Sequence, residues 1–137
     1  MRTTNQLTAI ILAAGTGTRL RPLTDSRPKT LVPACGVPLL GYILEPMARA
    51  GVADALIVTG YLEDAIKAYV PTLGLPFPVR YLTNEVYATT NNIHSLWIAR
   101  EGVDNDALLL DADLVWTPAA LDALLATAAP VSIAANR

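Results

Sequence analysis

Short apolar runs alternating with helix-period segments restrict this chain's fold more than any other feature. Residues 7–13 and 55–59 each read as a buried strand, and residues 78–82, 107–110 and 131–135 as further strands, all too short for a helix. Between them lie helical patterns. Over residues 38–50, Leu39, Leu40, Ile43, Leu44 and Met47 share one face, and Gly51 stands where a helix C-terminal glycine belongs. A short helix over 63–69 stops at Pro71. Another, over 92–100, turns Ile93, Leu96 and Trp97 inward and closes at Gly102. Thr117-Pro118, a cap residue followed by proline, opens a last helix running to about residue 128. Pro76 and Pro78 suit an edge strand for 78–82. This order predicts an α/β fold: an open, mostly parallel sheet with helices on both faces.

Open parallel sheets bind ligands at the carboxyl ends of their strands. The polar residues fall there: a glycine loop after the first strand, Asn84 after the third, Asp111 and Asp113 after the fourth. Composition narrows the ligand class. A net charge of −2 gives no nucleic-acid surface, and 53% hydrophobic content over 137 residues supports one well-packed domain. With Cys35 as the only cysteine no internal disulfide can form, so a reducing cytoplasm is the default compartment. No apolar run reaches the roughly 18 residues of a membrane span.

The loop over residues 12–30, LAAGTGTRLRPLTDSRPKT, carries the chemistry. Gly15 and Gly17 let the backbone approach a ligand and aim several N–H groups at one point, a cradle for phosphate oxygens. A dinucleotide fingerprint would need a small residue where Leu20 stands, and a Walker-type loop would need Gly-Lys-Ser/Thr shortly after Gly15. Neither is present. Instead Arg19 offers a fork donor and Lys29 a compact charge for a transferred group.

With Pro22, Pro28, Lys29 and Pro33 in register, residues 12–24, Pro28-Lys29 and residues 33–40 resemble the signature of the nucleotidyltransferases that activate small phosphorylated compounds. The resemblance implies a Rossmann-like sheet of the nucleotide-diphospho-sugar transferase type. It also implies transfer of a nucleoside monophosphate from a triphosphate to a phosphate or phosphonate, with loss of pyrophosphate. By position in the motif, Ala13, Ala14 and Gly15 line the base and sugar, with Leu12 and Thr16 in the same binding stretch. Gly17 and Arg19 hold the leaving phosphates, and Lys29 lies against the reacting phosphoryl group. Arg19, Lys29 and Asp113 form the catalytic set.

Residues 82–100 resemble the choline-phosphate and 2-aminoethylphosphonate cytidylyltransferase branch, through Asn91-Asn92-Ile93 with Asn84 and Tyr87 upstream. Sugar-phosphate members carry Gly-Thr-Ala at those positions. An asparagine amide both donates and accepts, as cytosine requires. Thr90, Asn91 and Asn92 are equally suited to cap a helix, and the two roles are compatible. In the family an Asp after the fourth strand holds Mg2+. Asp113 matches it, Asp111 supports it, and Ala112 replaces the usual glycine. A few protein oxygens plus phosphate and water suit Mg2+. His94 and Trp116 read as packing residues, and Cys35 as a small loop or buried residue.

The expected partners are therefore CTP, Mg2+ and a small acceptor, phosphocholine or 2-aminoethylphosphonate. The family's domain is commonly longer. The chain is expected to be its nucleotide-binding, N-terminal portion, incomplete at the C-terminus, weakly active alone and inclined to dimerise. The rival expectations are a sugar-1-phosphate nucleotidyltransferase using UTP, dTTP or GTP, and a nucleotide-binding module without turnover.

Overall fold

The computed structural model describes residues 7–127 and 129–133. Strands β1 (Leu7–Leu12), β4 (Asp54–Thr59), β5 (Val79–Thr83) and β6 (Asp106–Asp111) form one sheet in the order β5-β4-β1-β6, every pair parallel. A two-residue hairpin, β2 (Pro33–Ala34) and β3 (Val37–Pro38), stands apart from it. Its turn residues Cys35 and Gly36 both have positive φ, 49° and 81°, as a tight two-residue hairpin turn demands. Cys35 is exposed in that turn, so it is a loop residue and not a core one.

All six residues of β1 are buried because both faces of the sheet are covered. The strand period of two sorts them. Leu7, Ala9 and Ile11 point to a core shared with Leu40, Ile43, Leu44 and Met47 of α1 (Leu39–Ala50), Ile66 of α2 (Glu63–Tyr69) and Leu121 of α4 (Pro118–Leu125). Ile10 and Leu12 point the other way, with Leu56, Val58 and Ala99 of α3 (Asn92–Ala99). Gly51 ends α1 with φ 70°, and the Thr117 side chain accepts from the Ala120 N–H at the start of α4. Strand β5 is an edge, as its prolines required. Among the described residues, no helix is long and apolar enough to cross a membrane.

Two expectations fail. Helix α3 is rotated: Ile93 and Trp97 are 76% and 60% exposed and Leu96 is exposed, whereas Ser95 and Ala99 are buried. Polar contacts set that rotation. Asn92 reaches Asp111 and Ser95 reaches Asn84, and the buried residues of the helix are the small Ser95 and Ala99. The expected strand over 131–135 is also absent from its described part. Val131 and Ile133 are 79% and 85% exposed and lie outside regular structure, while residues 134 and 135 fall outside the described residues. A strand needs a partner for its backbone groups. Strand β6 pairs with β1 alone among the described residues, so its outer edge is open there.

Glu63 fastens the carboxyl ends of β4 and β5 together. The hydroxyls of Thr59 and Thr83 donate to its Oε2 at 2.7 and 2.8 Å, and Lys67 lies 3.0 Å away. The Thr59 hydroxyl first, then Thr83 and Lys67, hold its carboxyl at about 2 instead of 4.5. A carboxylate depressed on folding stabilises above its unfolded pKa and loses that contribution as pH falls through its folded pKa. Urea midpoints should therefore fall between pH 4.5 and 2, and fall less in Glu63→Gln. Parallel curves for the two proteins would show that this carboxylate is not linked to folding.

Candidate active site

Nine of the residues singled out in the sequence converge at the carboxyl ends of β1 and β6. Leu12, Ala13, Gly15, Gly17, Arg19 and Lys29 line one side of a cavity of about 280 Å³. Asn92, Asp111 and Asp113 line the other, with Ala112 and Thr30 completing it. The parallel register explains the meeting, since Leu12 lies directly beside Asp111.

The glycine loop leaves β1 and turns at Gly17, whose φ of 63° is left-handed. A Cβ there would lie 3.0 Å from Lys29 Cβ and 3.0 Å from Thr24 Cγ2, so the glycine brings two distant parts of the loop together. Thr24 is fully buried, and its hydroxyl donates to the Gly17 carbonyl at 2.8 Å. Tyr61, just after β4, donates its hydroxyl to the Thr24 carbonyl at 2.9 Å and its N–H to the Ala14 carbonyl at 3.1 Å. Gly60 permits this approach, because a Cβ on it would stand 2.9 Å from the Ala14 carbonyl oxygen. Thr24, Gly60 and Tyr61 went unassigned in the sequence. Gly60-Tyr61 directly after an apolar run, the same punctuation as Gly15 after β1, was the available signal.

Charges of both signs meet inside the cavity. The Lys29 ammonium donates to Asp113 Oδ2 at 2.8 Å, and Asn92 Nδ2 donates to Asp111 Oδ1 at 2.9 Å. Eighty-four positions separate Lys29 from Asp113, and the strand order alone makes them neighbours. Among the described residues, no three His, Cys, Asp or Glu side chains cluster as a metal cage. Two carboxylates at an open cavity still fit Mg2+, which takes one or two protein oxygens and fills its remaining positions with phosphate and water.

The other residues from the sequence lie outside the cavity lining. Asn84 is buried. Its Nδ2 donates to Thr90 Oγ1 and Ser95 Oγ at 3.0 and 3.2 Å, and its Oδ1 accepts from the Val86 N–H. Both ends of that amide are committed to folding residues 84–95, so Asn84 and Thr90 set the start of α3 and do not face the cavity. Asn91 caps that helix through the Ile93 N–H at 3.1 Å. Ala14 is buried with its carbonyl taken by Tyr61, and Thr16 is half-buried within the loop.

Comparison with known proteins bears on the family and the fold. The chain is 37% identical over 129 residues to CMP-5'-(3-aminopropyl)phosphonate synthase of Streptomyces rubellomurinus, covering 94% of this chain and 20% of that protein. It is 41% identical over 105 residues to choline-phosphate cytidylyltransferase of Streptococcus pneumoniae, covering 77% of this chain and 44% of that enzyme. The solved structure of CTP:phosphocholine cytidylyltransferase from Streptococcus pneumoniae superposes with a TM-score of 0.70 at 41% identity, over 79% of this chain and 45% of that one. The chain thus spans less than half the length of each. Residues 8–133 match the family described as nucleotidyl transferase, and with its parallel sheet and glycine loop in place this chain belongs to that family.

Proposed function

We propose that the chain is the nucleotide-binding portion of a cytidylyltransferase that moves CMP from CTP to a small phosphate or phosphonate. An acceptor oxygen attacks the α-phosphorus, the bond from that phosphorus to the bridging oxygen breaks, and pyrophosphate departs with that electron pair. The observation that carries this reading is the cavity joining Arg19 and Lys29 to Asp111 and Asp113. In-line displacement asks little covalent chemistry of a protein and gains mainly from alignment and neutralised charge. Arg19 and the loop N–H groups would hold the leaving phosphates. Lys29 would leave Asp113 for the reacting phosphoryl oxygens. Asp113, supported by Asp111, would hold Mg2+, which when bound neutralises phosphate charge and orients the oxygens around phosphorus.

Cytosine is favoured over other bases by the two relatives, whose names carry CMP and cytidylyl chemistry, and by Asn92 at the cavity. The same names favour an acceptor with a cationic amine, phosphocholine or an aminoalkylphosphonate such as 2-aminoethylphosphonate. A thermal-shift matrix of the four common triphosphates, with and without Mg2+, tests the base. A ligand at 100 times its dissociation constant adds about 2.7 kcal/mol, so CTP should raise the melting temperature well above UTP, GTP or ATP, and more so with Mg2+. Equal shifts from all four would remove the cytidylyl assignment.

A further inference from the structure

Among the described residues, Thr30 is a buried side chain without a hydrogen-bond partner, set in the wall of the cavity. It is 2% exposed, it lines the cavity beside Lys29, and its hydroxyl makes no hydrogen bond among the described residues. Buried hydroxyls are almost always satisfied, and leaving one unmade is costly. The backbone holds it there. Residues Lys29–Leu31 form a single 3-10 turn entered from Pro28, with Leu31 N–H donating to the Pro28 carbonyl at 2.9 Å. That turn sends Lys29 toward Gly17 and Asp113 and buries Thr30.

We propose that Thr30 is a positioning and binding residue whose hydroxyl, after rotation about χ1, donates to a phosphate oxygen of the bound triphosphate. The neighbours it shares the cavity wall with select that ligand class. Gly15 and Gly17 bring backbone to the wall, and Arg19 and Lys29 carry positive charge, so an incoming anion meets these donors in a lining that also holds the Asp111 and Asp113 carboxylates. A hydroxyl satisfied only by the ligand adds to affinity without adding to the stability of the free protein. The inference rests on the triphosphate reading of this cavity but not on the base. It expects the same loss for every triphosphate that binds, whereas the cytidylyl reading stands or falls on the difference between them.

The test compares Thr30→Val, which keeps the shape and removes the hydroxyl, with Thr30→Ser, which keeps the hydroxyl. Melting temperatures of the free proteins and affinities for CTP, inorganic pyrophosphate and cytidine are measured by calorimetry. Thr30→Val should melt at or above the parent temperature and bind CTP and pyrophosphate about tenfold more weakly, or about 1.4 kcal/mol. Thr30→Ser should bind both within about twofold of the parent, and cytidine should be indifferent to either change. Thr30→Ala, which asks for no space, should repeat the affinity loss whatever the fate of the valine variant. A lower melting temperature for Thr30→Val would mean that the hydroxyl has a partner in the free protein, and would overturn the proposal. Unchanged CTP affinity in both Val and Ala variants would overturn it too, as would an equal loss for cytidine.

Discussion

If the chain serves cytidylyl transfer as proposed, Lys29→Ala should lower that transfer about a thousandfold while leaving the fold almost untouched. Removing one preorganised charge or donor from a phosphoryl-transfer site costs on the order of 10²–10³ or more in turnover. The structural cost is small because the pair it breaks is partly wet. The Lys29 and Asp113 side chains are 31% and 45% exposed, and pairs of that kind contribute about 0–1 kcal/mol. Pyrophosphate release therefore collapses, while the melting temperature moves by only a few degrees. Lys29→Arg should recover little, since the guanidinium is a planar fork in place of a compact point charge. Metal binding supplies a second readout. In the free protein the ammonium occupies Asp113 Oδ2, so Lys29→Ala should bind Mn2+ alone more tightly than the parent does. Near-normal turnover together with unchanged Mn2+ affinity would remove Lys29 from the chemistry.

The same ion pair marks how far a linear reading can reach. Strands β1 and β4 were legible because a strand buried on both faces leaves an uninterrupted apolar run, and Gly51 and Thr117 were legible because helix ends use few residue types. Pro46 lies within α1 although proline disfavours helix interiors; Leu40, Ile43, Leu44 and Met47 make one buried face that overrides it. Helix α3 misled because its burial is decided by hydrogen bonds. Apolar periodicity pointed Ile93, Leu96 and Trp97 inward, but Asn84–Ser95 and Asn92–Asp111 turn that face outward. The run beginning at Val131 looked like a strand by composition alone, and composition cannot supply a neighbouring strand. At the cavity, Arg19, Lys29 and Asp113 stood out in the sequence through local motifs. Thr24, Thr30 and Tyr61 were missed because their parts depend on what lies across the fold from them.

Gly17→Ala should be the most damaging change of a single methyl in the loop. The left-handed φ of 63° costs an L-residue about 1–2 kcal/mol, and crowding adds about 1–3 kcal/mol. The crowding is hard to relieve. Lys29 Cβ, 3.0 Å away, is tied to its own backbone, and Thr24 Cγ2, also 3.0 Å away, can swing aside only if Thr24 breaks its bond to the Gly17 carbonyl. The total of about 3 kcal/mol corresponds to a melting temperature roughly 10 °C lower. Gly36→Ala separates the two causes. Gly36 has φ 81°, but a methyl added to it would meet nothing within 4 Å, so it should show only the conformational part, with CTP affinity unaffected. In Gly17→Ala the methyl displaces Lys29 and Thr24 together, and CTP affinity should fall at least about tenfold even at temperatures where the protein is fully folded. Equal stability losses in the two variants would mean that the close approach at Gly17 is not what holds the loop; lost stability with normal CTP affinity would mean that the loop can move without disturbing the phosphate site.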